Sequence, residues 1–112
     1  MDLQIRTRGF TLTRALGAHV RRRLAAALGP FASRVQTATV RLADVNGPRG
    51  GNDKQCLVQV VFPGMAPLVA SDTSDDLYQA ISRASQRLGQ GAQRLIGRRS
   101  RLSRIPTRLS AA

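Results

Sequence analysis

Asp76-Leu77-Tyr78-Gln79-Ala80-Ile81-Ser82-Arg83-Ala84-Ser85-Gln86-Arg87-Leu88 opens a stretch that continues to Arg104 and decides the fold. Leu77, Ile81, Ala84, Leu88, Ala92 and Leu95 recur at steps of three and four, which winds them into one apolar stripe of a helix. Arg83, Arg87, Arg94 and Arg98 recur at steps of four, seven and four. At about 100° per residue they fall in a second stripe, roughly 60–80° wide, on another side. No acidic residue follows Asp76. Like charges one helical turn apart repel by roughly 0.2–0.5 kcal/mol per pair. A helix that carries this repulsion without interleaved acids is suited to an external polyanion.

Working back from this helix, Asp72-Thr73-Ser74-Asp75 offers capping groups and negative charge at its positive end. Leu68 to Ser71 reads as a short strand, preceded by the turn Pro63-Gly64-Met65-Ala66-Pro67. Lys54 to Phe62 reads as another strand, with Cys56, Val58, Val60 and Phe62 on one face. The residues from Asp44 to Asp53 are rich in glycine and read as a loop. Val35 to Ala43 is a strand whose Ala38, Val40 and Leu42 face one way and whose Thr37, Thr39 and Arg41 face the other. Before it, Arg14 to Leu28 forms a helix with a buried stripe of Leu16, Val20, Leu24, Ala27 and Leu28. Thr11 or Thr13 caps it and Gly29-Pro30 stops it. Asp2 to Thr7 is a strand in which Leu3 and Ile5 alternate with polar residues.

Forward of the opening turns, Gly89 and Gly91 lie inside the helix and cost about 1 kcal/mol each against alanine. Such glycines mark close packing, or a helix that firms up on binding. Pro106 is expected to end any helix. Residues 1–100 form the domain, and residues 101–112 a basic tail, disordered in the free protein from about Ile105. The element order is strand, helix, three strands, helix. A right-handed crossover makes the first two strands parallel neighbours, and loops pair the rest as an antiparallel meander. The predicted fold is an α/β two-layer sandwich, β-α-β-β-β-α, a four-stranded mixed sheet with both helices on one face.

Composition fits one small domain of 112 residues. Eighteen basic residues against six acidic ones give a net charge of +12, and all but Lys54 of the eighteen are arginine. Arginine makes forked hydrogen bonds to phosphate and stacks on bases, which favours nucleic acid as partner. The lone cysteine, Cys56, excludes an internal disulfide and fits a reducing, cytoplasmic setting. No leader and no apolar run of ~18 residues is present. The alanine-rich helix face lacks the large aromatics of a membrane-surface helix, so no membrane partner is expected.

Catalytic readings find little to stand on. His19 and Cys56 are single residues of their types; together they fall short of the about four ligands of a zinc site. No carboxylate pair suits acid–base chemistry. Gly47, Gly50, Gly51 and Lys54 miss the phosphate-loop spacing, and a strand rather than a helix follows them. Neither an enzyme, a cofactor, a metal nor a small-molecule substrate is expected.

The opening Leu3-x-Ile5 strand, Thr13-x-Ala15-Leu16 and Val20-x-x-Arg23 in the first helix, and above all Asp76-Leu77-Tyr78-x-Ala80-Ile81, resemble the ribosome hibernation-promoting factors and ribosome-associated inhibitors. The resemblance spans about Met1 to Arg99. It implies a protein that binds ribosomal RNA of the small subunit between head and body, in the tRNA and mRNA channel, and silences translation. Carried over by position, the family's basic helix residues fall on Arg23, Arg87 and Arg94. Gln90 stands where relatives commonly carry a base, with Arg83 nearby to substitute. The loop after Asp44 is longer than in short members, which suggests a divergent branch. The resemblance does not extend to the dimerising domain of long members, so self-driven ribosome dimerisation is not implied; the free protein is expected to be a monomer.

The RNA-binding candidates are Arg22, Arg23, Arg49, Lys54, Arg83, Arg87, Arg94, Arg98, Arg99 and Arg101. The only aromatics are Phe10, Phe31, Phe62 and Tyr78; three or four are expected to be buried, so recognition would follow RNA shape and backbone rather than base stacking. The alternative reading is a general double-stranded RNA- or DNA-binding module.

Overall fold

The computed structural model describes residues 2–44 and 53–111, with side chains described up to residue 97. The chain runs β1 (Asp2–Arg8), α1 (Arg14–Leu28), a 3-10 turn (Gly29–Arg34), β2 (Thr37–Asp44), β3 (Lys54–Val61), β4 (Leu68–Ser74) and α2 (Leu77–Ala111). The sheet order is β1-β2-β3-β4, with β1 parallel to β2 and the remaining pairs antiparallel. This is the predicted mixed sheet in the predicted order of elements.

Alternation decides which face of the sheet is covered. Ala38, Val40 and Leu42 of β2, with Cys56, Val58 and Val60 of β3, are almost wholly buried. The register aligns Ile5, Val40, Val58 and Ala70 across all four strands, so the apolar rungs are continuous. Against them pack Leu16, Val20, Leu24 and Leu28 of α1 and Ala80, Ile81, Ala84, Leu88, Ala92 and Ile96 of α2. The opposite face of the sheet is uncovered.

Local chemistry fixes the helix ends. Thr13, not Thr11, caps α1: its Oγ1 accepts from the Leu16 N–H at 3.1 Å. Gly29 closes α1 at φ 54°, a conformation that costs glycine little. The chain then tightens into the 3-10 turn with Pro30 at its start, a turn the breaker pair Gly29-Pro30 hides in sequence. At α2, Asp76 is the cap, its Oδ1 accepting from the Tyr78 N–H at 3.1 Å. Ser74 supports that corner: its Oγ accepts from the Asp76 N–H and donates to Gln79 Oε1 at 2.8 Å.

Four expectations are corrected. The last strand does not stop at Ser71 but runs to Ser74, because Ala70, Asp72 and Ser74 keep the alternation that pairs them with Val58, Cys56 and Lys54. The apolar stripe of α2 ends on Ile96, 5 % exposed, whereas Leu95 is 46 % exposed; from Ala92 a step of four, not three, holds the buried side. Pro106 lies inside α2, which reaches Ala111. A proline forfeits one backbone bond and bends a helix more readily than it stops one flanked by helix formers such as Arg101, Leu102 and Arg104. Among the aromatics only Phe62 is buried; Phe10 and Phe31 are half-buried and Tyr78 is 40 % exposed, its ring set edge-on to that of His19 at 4.9 Å.

Gly89 is buried where α2 crosses α1, and a Cβ there would collide with the Ala27 carbonyl oxygen. Gly91 faces open space. Of the two glycines, Gly89 is the one that close packing requires. The same helix pair is tied by His19, whose Nε2 lies 3.1 Å from both the Tyr78 carbonyl oxygen and Ser82 Oγ.

Candidate nucleic-acid interface

Helix geometry separates the arginines into groups. Arg22 and Arg23 are exposed on α1. Arg23 lines a groove with Ala26, Ala27 and Gln86, between the two helices. Arg83, Arg87 and Arg94 share one exposed stripe of α2, away from the side on which Gly89 meets α1.

Acids within the fold engage part of that stripe. Asp72 projects from β4 on the helix side of the sheet and its side chain is only 8 % exposed. Arg87 Nη2 lies 3.3 Å from Asp72 Oδ1, and Arg87 Nη1 donates to the Ser71 carbonyl oxygen at 2.8 Å. Arg83 Nη1 stands 3.9 Å from Asp72 Oδ2, a buried oxygen without a hydrogen bond. Both guanidiniums remain more than half exposed, so each can offer further N–H groups outward. Sequence reading missed Asp72 because it ended the strand at Ser71; extending the alternation from Leu68 through Ala70 would have turned Asp72 toward the helices.

Lys54 is engaged more completely. Its Nζ lies 3.1 Å from Asp44 Oδ1 and 3.1 Å from Asp53 Oδ2. The Asp53 hydrogen bond first, and the Asp44 bond against the cost of burial, hold the ammonium above its usual range. One cation between two carboxylates presents no net positive charge. Arg49 lies outside the described residues, and the side chains of Arg98, Arg99 and Arg101 lie beyond those described. Among the described residues, Arg6, Arg8, Arg14, Arg21, Arg22, Arg23, Arg34, Arg41 and Arg94 meet no carboxylate within 4.0 Å.

Residues with catalytic potential do not converge. Cys56 is a buried thiol; desolvation first, and the Asp72 charge second, push it up to about 12. His19 holds two helices together on the other side of the core. Among the described residues no group of three or more His, Cys, Asp or Glu could hold a metal, and no helix is long and apolar enough to cross a membrane.

A two-layer α/β domain with most of its described arginines unmatched by its own acids defines a class of small basic binding domains. Residues 3–100 match the family described as Sigma 54 modulation protein / S30EA ribosomal protein. The chain belongs to that family, one of ribosome-associated modulation and hibernation factors. Among solved structures it is similar to a ribosomal subunit interface protein from Coxiella burnetii, with TM-score 0.72 and 18% identity over 87% of this chain and 99% of that one. It is also similar to the N-terminal domain of Protein Y from Thermus thermophilus, with TM-score 0.70 and 26% identity over 85% of this chain and 99% of that one. No curated protein gives a significant sequence match.

Proposed function

We propose that this protein is a cytoplasmic, non-catalytic silencer of translation that binds ribosomal RNA of the small subunit in the tRNA and mRNA channel. The observation that carries the reading is the surplus of exposed arginines without acid partners on a domain of this family. Arg22 and Arg23 of α1 and Arg94 of α2 take phosphates directly. Arg83 and Arg87 do so with the guanidinium edges that Asp72 and Ser71 leave free. Arg98, Arg99 and Arg101 extend the contact along α2, and Arg49 adds to it. Lys54 contributes least, because Asp44 and Asp53 neutralise it. Inhibition comes from occupancy of the channel and requires no bond to be made or broken.

Co-sedimentation with purified ribosomes through sucrose gradients, at rising potassium chloride, tests this. The wild-type protein should migrate with small subunits and whole ribosomes. Changing Arg22, Arg23 and Arg94 to glutamine together should weaken binding at least about tenfold at 200 mM salt, because each lost phosphate contact lowers the salt slope. Migration apart from ribosomes, with equal affinity for any duplex, would replace this reading with that of a general nucleic-acid binder.

A further inference from the structure

We propose that the uncovered face of the sheet is a second RNA-backbone site, built by Arg6, Arg8 and Arg41 on the side of the molecule opposite the helices. The site rests on the ribosome-binding reading for the identity of its polyanion; its geometry stands independently.

The parallel β1–β2 register sets Arg6 directly against Arg41 and Arg8 against Ala43. Continued across the sheet, two rungs of outward side chains result: Arg6, Arg41, Leu57 and Ser71, then Arg8, Ala43, Gln55 and Thr73. They floor a concavity of about 550 Å³. The side chains of Ala43, Ser71 and Thr73 are small, and Arg6, Arg8 and Arg41 line the concavity from β1 and β2. Neither rung contains an acid. Asp72 contributes to the lining of the concavity, but its carboxylate is held by Arg83 and Arg87 on the helix side. Arg6 has one hydrogen bond, to Gln4 Oε1 at 3.3 Å; among the described residues Arg8 and Arg41 have no side-chain partner.

Like charges directly across neighbouring strands destabilise a sheet. The fold keeps Arg6 opposite Arg41 with no carboxylate to relieve them, an arrangement that an external anion would convert into attraction. Forked guanidiniums match phosphate oxygens. No aromatic side chain stands on these rungs, so contact is with the phosphodiester backbone and not with stacked bases. A lipid surface fits less well, because the apolar residues of this face, the exposed Val69 with Leu57 and Val61, are interleaved with Gln4, Thr39, Gln55, Gln59 and Thr73 and include no aromatic anchor. With helices on one side and this concavity on the other, the domain joins two RNA segments instead of lying on one.

The test compares the full chain with two triple variants, Arg6→Gln/Arg8→Gln/Arg41→Gln on the sheet and Arg22→Gln/Arg23→Gln/Arg94→Gln on the helices. Each is titrated against ribosomes, poly-uridine and phosphatidylglycerol vesicles over a range of potassium chloride. The sheet variant should keep its circular dichroism spectrum and lose nothing in melting temperature, since it removes a repulsion. Its slope of log affinity against log salt on poly-uridine should fall by about 2, from three phosphate contacts at ~0.7 each, and its ribosome binding should weaken about tenfold or more. An unchanged slope in the folded variant, or a loss confined to vesicles, would overturn the proposal. Wild-type protein that ignores ribosomes yet loses its poly-uridine slope with the sheet variant would sink the proposed function and spare this site. Ribosome binding by the sheet variant equal to wild type would do the reverse.

Discussion

Two glycines two residues apart in α2, and so on nearly opposite sides of it, show how much a single Cβ decides. Gly89 sits against the Ala27 carbonyl, so Gly89→Ala forces the helices apart, and we expect a melting temperature several degrees lower. Gly91→Ala meets nothing and should stabilise by about 1 kcal/mol through helix propensity alone. Cys56 gives a prediction in pH. Its thiol ionises near 9.0 when unfolded and is pushed up to about 12 in the fold. The native state therefore keeps a proton that the unfolded chain gives up: stability from this group is whole below pH 9 and is lost as pH rises toward 12. Urea unfolding at pH 10 against pH 8 should show roughly 1.4 kcal/mol less stability in the wild type than in a Cys56→Val background. The native thiol should also resist thiol reagents at pH 8.

Elements were legible where side-chain periodicity was strong and obscure where two signals competed. The bounds of α1 follow from its leucine and valine spacing between Thr13 and Gly29, and the inner faces of β2 and β3 follow from alternation. The end of the α2 stripe was misread because Leu95 and Ile96 are both apolar and only the exact helical phase separates them. Leu95→Gln should leave stability within about 0.5 kcal/mol of wild type, while Ile96→Ala should cost about 2–4 kcal/mol, measured by chemical denaturation. The arginine stripe was legible as a stripe, but its tether was not, because the acid that receives Arg83 and Arg87 comes from a different element. Arg87→Gln should destabilise by about 1–2 kcal/mol, and most of that loss should vanish when Asp72 is already asparagine; a double-mutant cycle measures the coupling. Arg94→Gln, which breaks no ion pair among the described residues, should leave stability unchanged and weaken ribosome binding.

At the scale of the molecule, four of the six acids pair with a cation or cap a helix. Asp44 and Asp53 hold Lys54, Asp72 holds Arg83 and Arg87, and Asp76 caps α2. The net charge of +12 was plain in the sequence; which cations stay unmatched was not, because pairing depends on the register of β4 and the rotation of α2. The sheet-face arginines were half visible. Alternation turns Arg41 outward in β2, but only the parallel register brings Arg6 beside it. The molecule measures 63 × 23 × 20 Å, and its long axis comes from α2, about 52 Å long at 1.5 Å per residue.

The Arg87 contact with Ser71 has a bearing on solubility. β4 is the last strand of the sheet, paired only on its β3 side, and such a border invites a strand from another molecule to add on and seed aggregates. A guanidinium fastened to a main-chain oxygen of that strand, with Arg83 a turn away, sets fixed positive charge where an incoming backbone would have to settle. Two copies approaching along this border meet cation against cation, so a residue anchored by its own domain also keeps neighbouring molecules from joining it.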